Sequence, residues 1–150
     1  MKLRLEQMSD SEEEVLVRYR QMTPKIQAIC DLVEEGRPKI LVSHQRENSY
    51  LFLDDILYFE SVDGKTFAYT QAAVHEVGRT LKDLSASYAN NGFFRASKSL
   101  LVNIYHIASF KSQSFGRIEA LLDNDEVVVI SRKYAGQLRQ VLEQGVQDES

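Results

Sequence analysis

The run Phe93-Phe94-Arg95-Ala96-Ser97-Lys98-Ser99-Leu100-Leu101-Val102-Asn103 decides how this chain folds. Gly92 opens it, and its apolar ends flank a polar centre, Ser97-Lys98-Ser99. In an extended segment successive side chains point to opposite faces, so Ser97 and Ser99 share one side and Lys98 takes the other. A turn at that point would project Lys98 into solvent.

Short β runs continue in both directions. Upstream, 39–44 reads as a strand pairing with 50–53 across a polar turn, and 56–62 follows. Asp63-Gly64 is a strong hairpin signal, because both central residues of a type I′ turn need positive φ, and 65–70 returns. A short helix fits 80–86, with Leu81 and Leu84 inward. Downstream, strands at 107–113 and 116–122 join near Ser114, and Asp123-Asn124-Asp125 turns the chain into 126–130. A last helix runs from Ser131, a good N-cap residue, to about Leu142, with Tyr134, Leu138, Val141 and Leu142 inward. Many short strands with few helices, and no three-helix pattern, argue against a helix-turn-helix.

The first 36 residues read as a ββα unit. Leu3 and Leu5, then Val15, Val17 and Tyr19, occupy alternate positions, the mark of half-buried strands. A polar connection at 9–14 separates them. Thr23 as N-cap and Pro24 at the first helical position start a helix, with Ile26, Ile29, Cys30 and Val33 on one face and Gly36 and Pro38 as stops. Cys30 is the one cysteine, which forbids an internal disulfide and fits a small buried hydrophobe. The expected organisation is an extension at 1–36, a domain at 37–145 and a loose tail at 146–150.

The chain has 150 residues, 43% hydrophobic and 27% charged, enough to bury a core without disulfide or metal staples. No apolar run nears the roughly 18 residues of a membrane helix, and the N-terminus lacks the apolar stretch of a secretory signal. A cytoplasmic location is therefore expected. Net charge is −4, unfavourable for nucleic acid until it is resolved along the chain. Residues 1–36 carry 5 basic and 8 acidic residues, 37–142 carry 13 and 11, and 143–150 carry none and 3. The body is mildly basic between acidic ends, and local charge matters more than the total.

Signals for catalysis are lacking. Neither common Gly-rich phosphate loop occurs. His44, His75 and His106 are far apart in sequence and lack partners at metal-ligand spacing, and Asp54-Asp55 reads as a turn. The chain is expected to be no enzyme, with no metal, no cofactor and no small-molecule substrate. Tyr58, Phe59, Phe67, Phe93, Phe94 and Tyr134 would suit base stacking on single strands, but their spacing fits a core better.

The run at 93–103 resembles the central signature of the LytTR DNA-binding family: an aromatic, an arginine, a short polar set ending in serine, apolar residues and asparagine. Val129-Ile130-Ser131-Arg132-Lys133-Tyr134 is similar to its second signature, and Ile56-Leu57-Tyr58-Phe59-Glu60-Ser61 to its apolar strand ending in glutamate. The three cover about 38–142 in order. The N-terminal segment and Phe115-Gly116-Arg117-Ile118-Glu119-Ala120 resemble a stand-alone subgroup without a receiver domain.

The resemblance implies a mainly β fold with short helices, an elongated stack of short antiparallel sheets. It implies a sequence-specific transcriptional regulator of bacterial type, whose edge loops enter successive major grooves of direct-repeat double-stranded DNA. It places Lys98 at a base or phosphate, with Arg95, Ser97 and Ser99 beside it; Arg95 either makes a contact or supports the loop. Arg132 matches the family's contacting arginine, with Lys133 adjacent. The hairpin offers Lys65 and Thr66 where relatives often have histidine, which suits Lys65 to phosphate more than to base readout. Lys111, in the polar stretch 111–113, would touch the backbone.

The acidic segment 1–36 suggests homodimerisation or reception of a signal, and the subgroup resemblance implies a small membrane protein as antagonist. The alternative function is a protein–protein interaction module in signalling, without direct DNA binding.

Overall fold

The computed structural model describes residues 1–10, 12–34 and 37–144. They divide into two compact units, one up to Arg37 and one from Pro38. Gly36, the expected helix stop, and the tail 146–150 lie outside the described residues.

In the first unit a helix, α1 (Pro24–Glu34), forms where the sequence starts it. The Thr23 side-chain oxygen accepts the Ile26 N–H at 3.2 Å, the bond an N-cap threonine supplies to an orphan first-turn donor. Only part of its apolar face is covered: Ile26 is buried, Ile29 and Cys30 are half-buried, and Val33 is exposed. Cys30 is thus not the buried hydrophobe expected. The two expected strands do not form among the described residues. Leu3 and Leu5 are 83% and 85% exposed, and an alternating pair of strands without a third strand or a covering face is at best marginal in water.

The second unit carries ten strands in two antiparallel sheets: β1 (Lys39–His44), β2 (Glu47–Phe52), β3 (Tyr58–Val62), β4 (Lys65–Tyr69), β5 (Val74–Val77), β6 (Phe93–Ser97), β7 (Leu100–Asn103), β8 (Ile107–Ser112), β9 (Ile118–Leu122) and β10 (Val127–Ile130). The larger sheet runs β2-β1-β5-β4-β3-β7-β6 and the smaller β10-β9-β8. Two helices accompany them, α2 (Leu81–Tyr88) and α3 (Arg132–Glu143). β5 is a strand the sequence did not announce. Four residues, Val-His-Glu-Val, are too short to show a period, yet β5 joins β4 to the β1–β2 hairpin, which it meets at Ser43↔Glu76.

Around β3, β7 and β6 the larger sheet buries both faces, which the two-residue period makes possible. Tyr58, Leu100 and Val102 face a core shared with Ile118, Ala120 and Ile130 of the smaller sheet and Ala135, Leu138 and Leu142 of α3. Phe59, Leu101 and Phe93 face a second core, closed by Leu81 and Leu84 of α2. β7, buried at every position, reads as a continuous apolar run for that reason. The aromatics at 58, 59 and 93 are therefore core.

Asn103 ends β7 as a buried fastener. Its Nδ2 donates to the Ile56 carbonyl at 3.0 Å, and its Oδ1 accepts the Tyr105 N–H at 3.1 Å. Both halves of the amide are satisfied, as burial requires.

Candidate nucleic-acid interface

The polar centre of the 93–103 run is a tight turn between β6 and β7. The pairing slips there, from Arg95↔Leu101 to Ser97↔Leu100, so Ala96 is the extra residue of a bulge, a device that re-aims neighbouring side chains. Arg95 Nη1 donates to the Lys98 carbonyl at 2.7 Å, and the Ser99 N–H donates to Ser97 Oγ at 3.3 Å. These bonds hold the turn while the Lys98 side chain stays exposed. Of the two roles open to Arg95 from sequence, the support of the loop is present in the structure.

The turn is bonded to its neighbours. The Ser131 N–H donates to the Ala96 carbonyl at 2.7 Å, and the Ser61 N–H donates to the Ser99 carbonyl at 2.9 Å. The first bond docks the start of α3, and the second docks the β3–β4 hairpin. In that hairpin Asp63 and Gly64 both have positive φ, as the turn signal required. Lys65 is exposed, but Thr66 is 6% exposed and sits between Ser61 and Val77 in mid-sheet. The Thr66 side chain is thus largely covered by the sheet, unlike that of Lys65.

At the start of α3, Ser131 occupies the N-cap position with extended backbone, but its hydroxyl makes no capping bond. Arg132 and Lys133 follow, both exposed, with no acid in the first turn. Cations there oppose the helix dipole, so the local arrangement favours an anion arriving from outside. The β8–β9 hairpin tip completes the rim: a Cβ placed on Gly116 would lie 3.2 Å from Cγ of Arg132, so the arginine's methylene stem rests against that glycine. Lys111, further back on β8, faces Glu119 at 3.6 Å. An exposed pair of this kind is weak and exchangeable.

The loops 63–66, 97–99, 113–117 and 131–133 thus adjoin one another. They hold five bases, Lys65, Lys98, Arg117, Arg132 and Lys133, against one acid, Asp63. This is a cationic rim on a chain whose net charge is −4. Sequence reasoning left out Arg117, whose place in the hairpin tip beside Arg132 depends on the packing of β8–β9 against α3.

Other groups serve structure. His106 Nδ1 pairs with Asp123 Oδ2 at 2.9 Å and its Nε2 meets the Asp54 carbonyl at 2.5 Å, which ties the turn after β7 to the loop before β3. A cavity between α2 and α3, with Phe94, Arg95 and Tyr134 in its wall, has neither histidine nor carboxylate lining it. Among the described residues no three His, Cys, Asp or Glu side chains are grouped to hold a metal, and no helix is long and apolar enough to cross a membrane.

Comparison with known proteins identifies the family. Residues 47–143 match the family model described as LytTr DNA-binding domain. Two curated relatives, each named Sensory transduction protein LytT, from Bacillus cereus and Bacillus anthracis, are 28% identical over 90 residues, 60% of this chain. The matched part spans 37% of those relatives. The fold is similar to a solved LytTr DNA-binding domain from Bacillus cereus, with a TM-score of 0.67 and 21% identity over 71% of this chain and 98% of that one. With more than half its length matched by the family model, this chain belongs to the LytTr DNA-binding domain family.

Proposed function

We propose that this protein is a sequence-specific transcriptional regulator that reads double-stranded DNA with the cationic rim. The observation that carries this reading is the convergence of the two signature loops, at 97–99 and 131–133, through the Ser131–Ala96 bond. Lys98 and Arg132 take the base edges, where lysine and arginine suit guanine O6 and N7. Lys65, Lys133 and, by exchange from Glu119, Lys111 take phosphates. Ser97, Ser99 and the uncapped N–H groups at the start of α3 supply neutral donors to phosphate, as helix N-termini commonly do. Arg95 acts through the turn it holds.

The preferred site is a direct repeat whose halves face the same side of the duplex, each half presenting its major groove to one copy of the rim. The protein acts in the cytoplasm. Residues 1–36 mediate homodimerisation or receive the regulatory input, and a small membrane protein is the proposed antagonist. The exposed Leu3, Leu5, Val15 and Tyr19 support a partner for that segment.

The test is a fluorescence titration of labelled duplex, selected by the protein from a random-sequence pool, at 50 and 200 mM salt. With the three lysine–phosphate contacts of one copy, counterion release predicts an affinity loss of about 40-fold per copy across that range. Footprints should recur about one helical turn apart. Equal displacement by scrambled duplex would remove the sequence-specific reading, and an empty selection would favour an interaction module.

A further inference from the structure

We propose that Phe115, at the tip of the β8–β9 hairpin, is an apolar contact to DNA, seated in the groove beside Arg132. The inference rests on the duplex-binding reading above and adds to it a contact that no charge provides.

Phe115 is 81% exposed, more so than any other aromatic side chain among the described residues. It also holds φ 63° and ψ 28°, the left-handed region that L-residues other than Gly, Asn and Asp seldom occupy. The backbone around it is held firmly. The Gln113 N–H donates to the Arg117 carbonyl at 2.8 Å, Arg117 Nε donates to the Ser114 carbonyl at 3.3 Å, and Gly116 lies on the Arg132 stem. The fold therefore keeps a strained phenylalanine at a turn where glycine or asparagine would sit more easily, and it gains no packing from the ring. Strain of this sort, kept by a rigid surround, marks ligand contacts more often than packing.

The surroundings choose the partner. Arg117 lies two residues along the same tip, the Arg132 stem rests against the adjoining Gly116, and Arg139 reaches the same hairpin through Ser112 Oγ at 3.4 Å. No acid lies between Ser112 and Arg117. An apolar ring set among cations matches a surface with anionic rims and an apolar wall. A DNA groove has that character: phosphates outside, with sugar edges and thymine methyls within. Tyr50 and Tyr105, the other well-exposed aromatics of this unit, carry hydroxyls and lie outside the rim loops.

The test uses the full chain and a 30-base-pair duplex that the wild-type protein recovers from a random-sequence pool, with affinity followed across a salt series. Phe115→Ala should weaken binding about 10- to 50-fold, the range of a truncated aromatic anchor. The slope of log affinity against log salt should not change, since no phosphate partner is lost. Phe115→Leu should restore most of the affinity, and the loss should appear equally on a duplex carrying a single half-site. Arg132→Ala on the same probe should weaken binding and relax specificity at one base position. Wild-type affinity in Phe115→Ala, with Arg132→Ala impaired, would overturn this inference and leave the duplex reading intact. A loss confined to the tandem site would also overturn it, by assigning the ring to a neighbouring copy. A wild-type chain that recovers no duplex would overturn the reading beneath.

Discussion

The Ser131 N–H donates to the Ala96 carbonyl at 2.7 Å, and this one bond welds the β6–β7 turn to the start of α3. Its partners lie on two signature loops that the sequence separates widely. Ser131→Pro keeps φ near the observed −68° but removes the donor, leaving the carbonyl of buried Ala96 without it. The expected cost is about 1–3 kcal/mol, together with weaker duplex binding. Ser131→Ala, by contrast, should cost less than about 0.5 kcal/mol, below the usual loss for an N-cap serine, because the hydroxyl makes no cap bond. Urea denaturation of both variants checks this.

Lys98→Ala and Arg132→Ala remove exposed cations whose side chains touch little of the core. Each should reduce affinity for the selected duplex by about 10- to 100-fold, the range for a lost bidentate or base-edge contact. Thermal midpoints should stay within about 2 °C of wild type, as for surface substitutions generally. Anisotropy titration and thermal denaturation together separate binding from folding.

Gly64 and Gly116 both have positive φ, near 80° and 76°, but only Gly116 is crowded. A Cβ at Gly64 meets nothing within 4 Å, whereas one at Gly116 would press on the Arg132 stem. Alanine at either site should lower stability by about 1–2 kcal/mol through left-handed strain. Gly116→Ala alone should also weaken duplex binding, because the Arg132 stem must yield by a few tenths of an ångström. Comparing the two variants by denaturation and by binding isolates that displacement.

Asn103 is buried and satisfies the Ile56 carbonyl and the Tyr105 N–H. Asn103→Leu would strand both. The expected destabilisation is about 2–4 kcal/mol, a fall in thermal midpoint of roughly 10 °C or more for a unit of this size. A midpoint shift under about 3 °C would contradict this role.

His75 has a buried Nδ1 without a hydrogen-bond partner. Burial, and then the nearby His44, lower its pKa below the ordinary value; the two rings are 5.3 Å apart. Below about pH 6.5, the usual histidine value, the unfolded chain binds a proton that the folded chain refuses. This contribution to stability is full above that pH and is lost as pH falls from it toward the folded-state value. His75→Gln should flatten the dependence between about pH 7 and 5.5, measured by urea midpoints. An unchanged slope would place the effect elsewhere.

The β-rich body was legible because its signals are local. Asp63-Gly64 fixes a hairpin by backbone conformation alone, and the apolar run at 56–59 announces a strand buried on both faces. Thr23-Pro24 set the start of α1 for the same reason. What the sequence hid depends on partners far along the chain. Leu3-Arg4-Leu5 has strand alternation, but nothing among the described residues covers it. Val74–Val77 lacks a readable period, yet two neighbouring strands recruit it. At the rim, Lys98 and Arg132 could be named from their signatures, whereas the burial of Thr66, the pairing of Lys111 with Glu119 and the placement of Arg117 follow from tertiary packing.

If one continuous rim meets the duplex, an amide-resolved NMR titration of the protein with its selected duplex will trace it. Perturbed amides should cluster at 63–65, 97–99, 113–117 and 131–133, while β1, β2 and α1 stay unmoved. Perturbations centred on the β1–β2 hairpin or on α1, with the rim silent, would contradict it.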